Sequence, residues 1–186
     1  LAKATKSDAA TITSFTGTMF GIFQNQAKKM GKSRWVEILA GQTATAVQMF
    51  KTTGSEISAA FSGVGAAGTA HGINMAEQMA ILGSLQATMK GAEAATKYKA
   101  FLGGVGKAQK ALGLTFVDSQ GKMLPMVDIL NRIKGKFGEI DTVAESDLLQ
   151  KAFGTKEAVS LIKQLMLNTD GLSDSIEKLN DVTGMG

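Results

Sequence analysis

Apolar residues recur at intervals of three and four along nearly the whole chain. Trp35, Ile38, Leu39, Ala46, Met49 and Phe50 form one stripe, and Met75, Met79, Leu82 and Met89 form another. Tyr98, Phe101, Leu102, Val105, Ala108 and Leu112 make a third, followed by Met126, Ile129, Leu130, Ile133 and Phe137. Leu161, Ile162 and Leu165, then Leu172, Ile176 and Leu179, close the series. Such spacing puts each set on one face of a helix with 3.6 residues per turn. The pattern predicts an all-α fold, a multi-helix bundle of about eight helices.

Start and stop signals agree with it. Thr53 with Glu56, Asn74 with Glu77, and Thr142 with Glu145 have the spacing of a capping box, and Pro125 suits a first helical turn. Gly31, Gly72, Gly91, Gly113, Gly138 and Gly154 each follow an amphipathic stretch, as expected of glycines that end helices. Lys28, Lys29, Lys90, Lys110, Lys134 and Lys136 fall in or near the last turns, where cations suit the helix dipole. One stretch breaks the pattern. "TFVDSQGKML", residues 115–124, has the chemistry of a small turn or β-hairpin.

"GVGAAG", Gly63 to Gly68, has the G-x-G-x-x-G spacing of a dinucleotide-binding turn, which needs a strand before it and a helix after it. Here "SEISAAFS" precedes it and reads as helix, and Ile57, Phe61, Val64 and Gly68 keep a helical register through it. The glycines are therefore predicted inside a helix. Each costs about 0.8–1 kcal/mol relative to Ala, roughly 3 kcal/mol together. Close approach of another backbone offsets that, over a helix-packing seam of Ala59, Gly63, Ala67 and Ala70, which is not a ligand site.

Candidate chemistry is sparse. "GGVGK" at Gly103–Lys107 lacks the Walker spacing, because Phe101 and Ala108 stand where Gly and Ser or Thr are needed. His71 is the single histidine and sits beside a helix-ending glycine, so a polar cap suits it better than catalysis. Asp118 lies in a segment without the alternating oxygen ligands of a calcium loop and reads as a turn residue. Asp141, Glu145 and Asp147 cluster at a helix start, where acids favour the dipole. The chain has no Cys, which removes disulfides and thiolate metal sites, and its 10 Met fall mostly on the helical stripes as core filler. No catalytic, cofactor-binding or metal-binding residue is expected.

Charge adds an asymmetry. Residues 1–110 carry 12 Lys/Arg against 5 Asp/Glu and residues 111–186 carry 8 against 11, within a net charge of +4. Such polarity suggests head-to-tail contacts or two different partners, with an unevenly charged solvated surface as the plainer alternative. "KKMGKSR", Lys28 to Arg34, is the only tight basic cluster and falls at a helix end, so specific nucleic-acid binding is not expected. Ile57 to Ala76 is free of charged residues and 20 residues long, enough to span hydrocarbon, and Thr11 to Ala27 is another uncharged run. Their Ser, Thr, Asn, His and Gly make insertion costly, and buried bundle helices explain both runs. Membrane contact stays as an alternative.

Three segments, in order, carry a resemblance: "AAGTAHGINMAEQMAILGSLQATMKGAEAATKYKAFL", "ALGLTFVDSQGKMLPMVDILNRIKGKF" and "LLQKAFGTKEAVSLIKQL". Together they resemble the core region of the tail tape-measure proteins of long-tailed bacteriophages and prophages. The match runs from about Thr53 to Leu179, with Ala95 where that family often has Gly. It divides the chain into an N-terminal helical segment, residues 1–52, and a tape-measure-like helical core, residues 53–186, or else one continuous domain. The start at Leu1 reads as a piece of a longer protein.

The resemblance implies a non-enzymatic structural protein of tail assembly that templates tail-tube length and is expelled during DNA delivery. Its implied partners are tail-tube subunits and tail-assembly chaperones, beside self-association. It would reside in the virion tail and, during assembly, in the host cytoplasm. The alternative function is a membrane-active segment that assists DNA passage across the host inner membrane.

Overall fold

A computed structural model describes residues 9–182. Eleven helices lie among them: α1 (Ala9–Ile22), α2 (Gln24–Met30), α3 (Lys32–Phe50), α4 (Gly54–Val64), α5 (Ala67–Ala70), α6 (Met75–Leu85), α7 (Gly91–Leu112), α8 (Met126–Phe137), α9 (Val143–Phe153), α10 (Lys156–Met166) and α11 (Thr169–Asn180). The all-α expectation holds, and the count of about eight is too low. Short interruptions account for the difference. Gly31, at φ 95° and ψ 132°, separates α2 from α3, and Gly65, at φ 58° and ψ −136°, separates α4 from α5. Glycine adopts both conformations freely, so the apolar register continues across a break that the pattern cannot register.

The N-cap half of each predicted capping box forms, whereas no glutamate carboxylate returns to its own N-cap amide. The hydroxyls of Thr53 and Thr142 accept from the amides of Glu56 and Glu145 at 3.2 Å, and Asn74 accepts from Glu77 at 2.8 Å. Thr155 and Asn168 cap α10 and α11 in the same way. Gly113, Gly138 and Gly154 follow their helices with positive φ, as stop signals. Gly91 is different: it is the buried first residue of α7, and no helix ends there.

Long α7 is the centre of the fold, packed by α4, α9 and α10, while α11 and α3 cover α6. Residues from α1 to α11 contribute to one contiguous buried cluster, which includes Met19, Trp35, Phe61, Tyr98, Leu161 and Leu179. Aromatic contacts join distant segments. Phe20 meets Trp35 edge-on at 6.0 Å and Phe23 meets Phe61 likewise, while Phe153 stacks between Phe101 at 5.3 Å and Phe116 at 6.2 Å.

Residues 115–124 form a turn and not a strand hairpin. Val117 and Met123 make an isolated antiparallel bridge, and the described residues contain no strand. Asp118 N donates across it to the carbonyl of Lys122 at 2.8 Å and Leu124 N to that of Phe116 at 2.9 Å, and the pairing stops there because the neighbouring donors are engaged elsewhere. Gln109 Oε1 accepts from the amides of Phe116 and Val117, at 2.6 and 3.1 Å, and the amide of Met123 donates to the carbonyl of His71 at 3.0 Å. Asp118 serves as the turn residue, its Oδ1 accepting from Gln120 N and Lys122 N at 2.8 and 3.0 Å.

Candidate functional site

The small-residue positions singled out in the sequence fall on two helices. Ala59 and Gly63 are on α4; Ala67 and Ala70 are on α5, beyond the break at Gly65. "GVGAAG" is therefore a helix end, a glycine turn and a second helix start. Gly63 approaches α7 so closely that a Cβ there would stand 2.6 Å from Ala95 Cβ. Ala59 and Ala67 are half-buried, and Ala70 is exposed.

Two other glycines lie tight against main chain. A Cβ on Gly91 would collide with the carbonyl oxygen of Glu56 in α4, and one on Gly104 with the carbonyl oxygen of Phe153 at the end of α9. Gly104 belongs to "GGVGK", which is thus a stretch of α7 and no phosphate loop. Its signal was present in the sequence. Gly104 lies beside Phe101, Val105 and Ala108 on the apolar stripe, whereas Gly103 and Gly106 lie off it and are exposed.

Two capping-box glutamates reach beyond their own helices. Glu56 Oε1 accepts from the amide of Gly91 at 2.9 Å, and Glu77 Oε2 accepts from the amide of Met126 at 2.8 Å. Each carboxylate, near the start of one helix, therefore caps the start of another, where first-turn amides lack intrahelical partners. Burial raises the pKa of Glu77 against the opposing hydrogen bond from Met126, and Asp128 adds to the rise. Tyr98 lies close by, and burial with the Glu77 charge pushes its hydroxyl well above the usual range.

The remaining candidates have structural surroundings. His71 Nδ1 lies 2.9 Å from the carbonyl of Ala67, closing the end of α5. Asp141 and Asp147 are exposed, and Glu145 accepts from the Thr142 hydroxyl at 2.8 Å. Among the described residues no three His, Asp or Glu converge to hold a metal ion. Lys28, Lys29, Lys32 and Arg34 flank the α2–α3 break on the surface, with Lys32 Nζ 5.1 Å from the centre of the Phe20 ring. The uncharged run from Ile57 to Ala76 is divided among α4, α5 and the start of α6. Among the described residues no helix is long and apolar enough to cross a membrane.

A half-open cleft of about 1290 Å³ lies between the ends of α3, α6 and α8 and the outer face of α10 and α11. Its floor is apolar, with Met49, Phe50, Leu165 and Leu172, and Lys134, Lys156 and Lys163 stand on its walls. Gln164 reaches across one end to the Thr88 hydroxyl at 2.6 Å.

A helical chain with close glycine contacts and no convergent reactive groups among the described residues fits many assemblies, and comparison with known proteins narrows the choice. The family model for phage-related minor tail proteins matches residues 1–154. The chain belongs to this family. This minor tail protein is accordingly a structural component of a phage tail. Neither a curated protein nor a solved structure matches it significantly. The family match ends at Gly154, the C-cap of α9, while α10 and α11 continue the same core through Leu161, Ile162, Leu165, Leu172 and Leu179.

Proposed function

We propose that this minor tail protein is the core of a tail tape-measure protein, a non-enzymatic scaffold that acts through packing and length. One observation carries the reading. The three segments that resemble tape-measure cores coincide with helix–turn–helix units, from α5 into α7, from the end of α7 through α8, and from α9 into α10. Tail-tube subunits and tail-assembly chaperones are the partners of such a role, and expulsion ahead of DNA follows from it.

Length sets a physical condition. A wholly helical chain of 186 residues extends about 280 Å at about 1.5 Å per residue, whereas a compact one has a radius of gyration of about 16 Å. A ruler therefore requires the helices to reopen into an elongated bundle inside the tube. Contacts made by glycine and alanine, such as Gly63 on Ala95, interlock fewer large side chains than a leucine-rich seam and suit reopening.

The test is an insertion of about 28 helix-forming residues into the α8–α9 connection of the parent protein in the phage. Tails should lengthen by about 42 Å in electron micrographs, at about 1.5 Å per residue. Infectious particles with tails of unchanged length would refute the ruler. No particular observation favours the membrane-active alternative, since both uncharged runs that suggested it are broken, Ile57 to Ala76 at Gly65 and again at residues 71–74, and Thr11 to Ala27 at Phe23.

A further inference from the structure

The outer faces of α10 and α11 carry two charged rows in the same register. On α10, Lys156, Ser160, Lys163 and Leu167 recur at i, i+4, i+7 and i+11, along one side of the cleft and over about 16 Å of helix. On α11, Asp170, Asp174, Glu177 and Asp181 recur at the same intervals, all exposed. None of these charges is paired. The ion pair found among the described residues is Lys97 with Glu93, elsewhere on α7. Leu167, at the α10–α11 joint, is 85% exposed and is the most exposed large apolar side chain described.

The two rows cannot meet within one chain. Asn168, Gly171 and Ser175 turn toward the cleft, and at about 100° per residue the acidic row lies roughly 120° away round α11. Each copy thus presents a basic cleft on one side and an acidic ridge on another. We propose that the acidic ridge of α11 docks into the cleft of a second copy, in a head-to-tail contact. Asp174 and Glu177 face Lys156 and Lys163 there, and exposed Leu167 beside the apolar floor is covered.

The cleft favours this occupant over an apolar helix. An uncharged helix would strip water from Lys156 and Lys163 and supply no counter-charge, which is costly. Glu139 and Asp141 border the cleft on the α8–α9 connection, and the incoming α11 brings Lys178 as the cation to offset them. Because donor and acceptor surfaces differ, the contact is heterologous and propagates into a ring or a filament. The proposal stands apart from the ruler reading, since a tail component of any role could assemble this way.

Sedimentation equilibrium of the isolated chain tests it, from about 10 μM to about 1 mM, a range that captures weak association. The average mass should climb from 19.4 kDa past the dimer value, and fall back in salt of about 1 M, where charges are screened beyond about 3 Å. Two surface variants, K156E/K163E and D174K/E177K, should each stay monomeric with unchanged circular dichroism. An equimolar mixture of the two should associate again, because the reversed charges match. A monomer at every concentration, association indifferent to either variant, an inert mixture, or a mass that stops at the dimer would each overturn the proposal.

Discussion

Three glycines of α7 make an internal experiment. Gly103 and Gly106 have no atom within 4 Å of where a Cβ would stand, whereas Gly104 faces the Phe153 carbonyl. Alanine at an open helical position gains about 0.8–1 kcal/mol from lower chain entropy and better propensity. The double variant Gly103→Ala/Gly106→Ala should therefore gain about 2 kcal/mol, and melt about 4–8 °C higher for a chain of this size. Alanine at Gly104 has the same propensity gain, but its methyl meets a main-chain oxygen that cannot rotate aside. Overpacking typically costs about 1–3 kcal/mol, and a collision with backbone belongs at the upper end, so the net loss is about 2 kcal/mol. Thermal melts by circular dichroism, with urea midpoints as a check, should separate the two variants by roughly 8–16 °C. If Gly104→Ala melts above the parent, close backbone approach does not hold α9 against α7, and the packing argument fails.

Other consequences can be measured on the same chain. Gly63→Ala and Gly68→Ala should both lower the melting temperature, because the new methyls would press on Ala95 and on the buried Gln78 amide; higher melting in both would remove the seam. Gln109→Ala leaves the amides of Phe116 and Val117 without their acceptor, at a cost of about 1–3 kcal/mol. Hydrogen exchange at those two amides should accelerate while the middle of α7 stays protected, and unchanged rates would contradict the role given to Gln109. Glu77→Gln keeps an acceptor for Met126 but removes the titration. Since burial raises the folded-state pKa, the group's stabilising contribution is full at acid pH and fades as pH rises from the ordinary carboxylate value through the raised one. Urea midpoints across that window should show the parent losing stability relative to the variant; an advantage that grows with pH would refute the assignment.

Most helices and their caps were legible in the sequence, because the cues are local. Thr53, Asn74 and Thr142 sit three residues before a glutamate, and an N-cap oxygen and its amide need nothing further away. The glycines were harder to read. Gly65 ends a helix, Gly91 begins one and Gly104 lies inside one, and the difference rests on what stands opposite each. Gly91 follows an apolar stripe as a stop would, while its true neighbour is the main chain of α4 at Glu56, 35 residues earlier. The turn chemistry of residues 115–124 hinted at a hairpin, but Gln109 and His71 take backbone donors on either side of the single bridge. For the candidate site, the glycines were visible as a class, yet the sequence assigned the seam to Gly63 and its helical neighbours and overlooked Gly104.

The glutamates that reach from one helix to cap the start of another have a consequence for how the molecule comes apart. Glu56 and Glu77 bind the start of α7 to α4 and the start of α8 to α6, so neither long helix can fray at its beginning without releasing a carboxylate in another. Local openings are thereby coupled into one larger event. Pulled from an end, the molecule should resist and then yield as a block, passing from closed to extended in one step instead of paying out helix by helix.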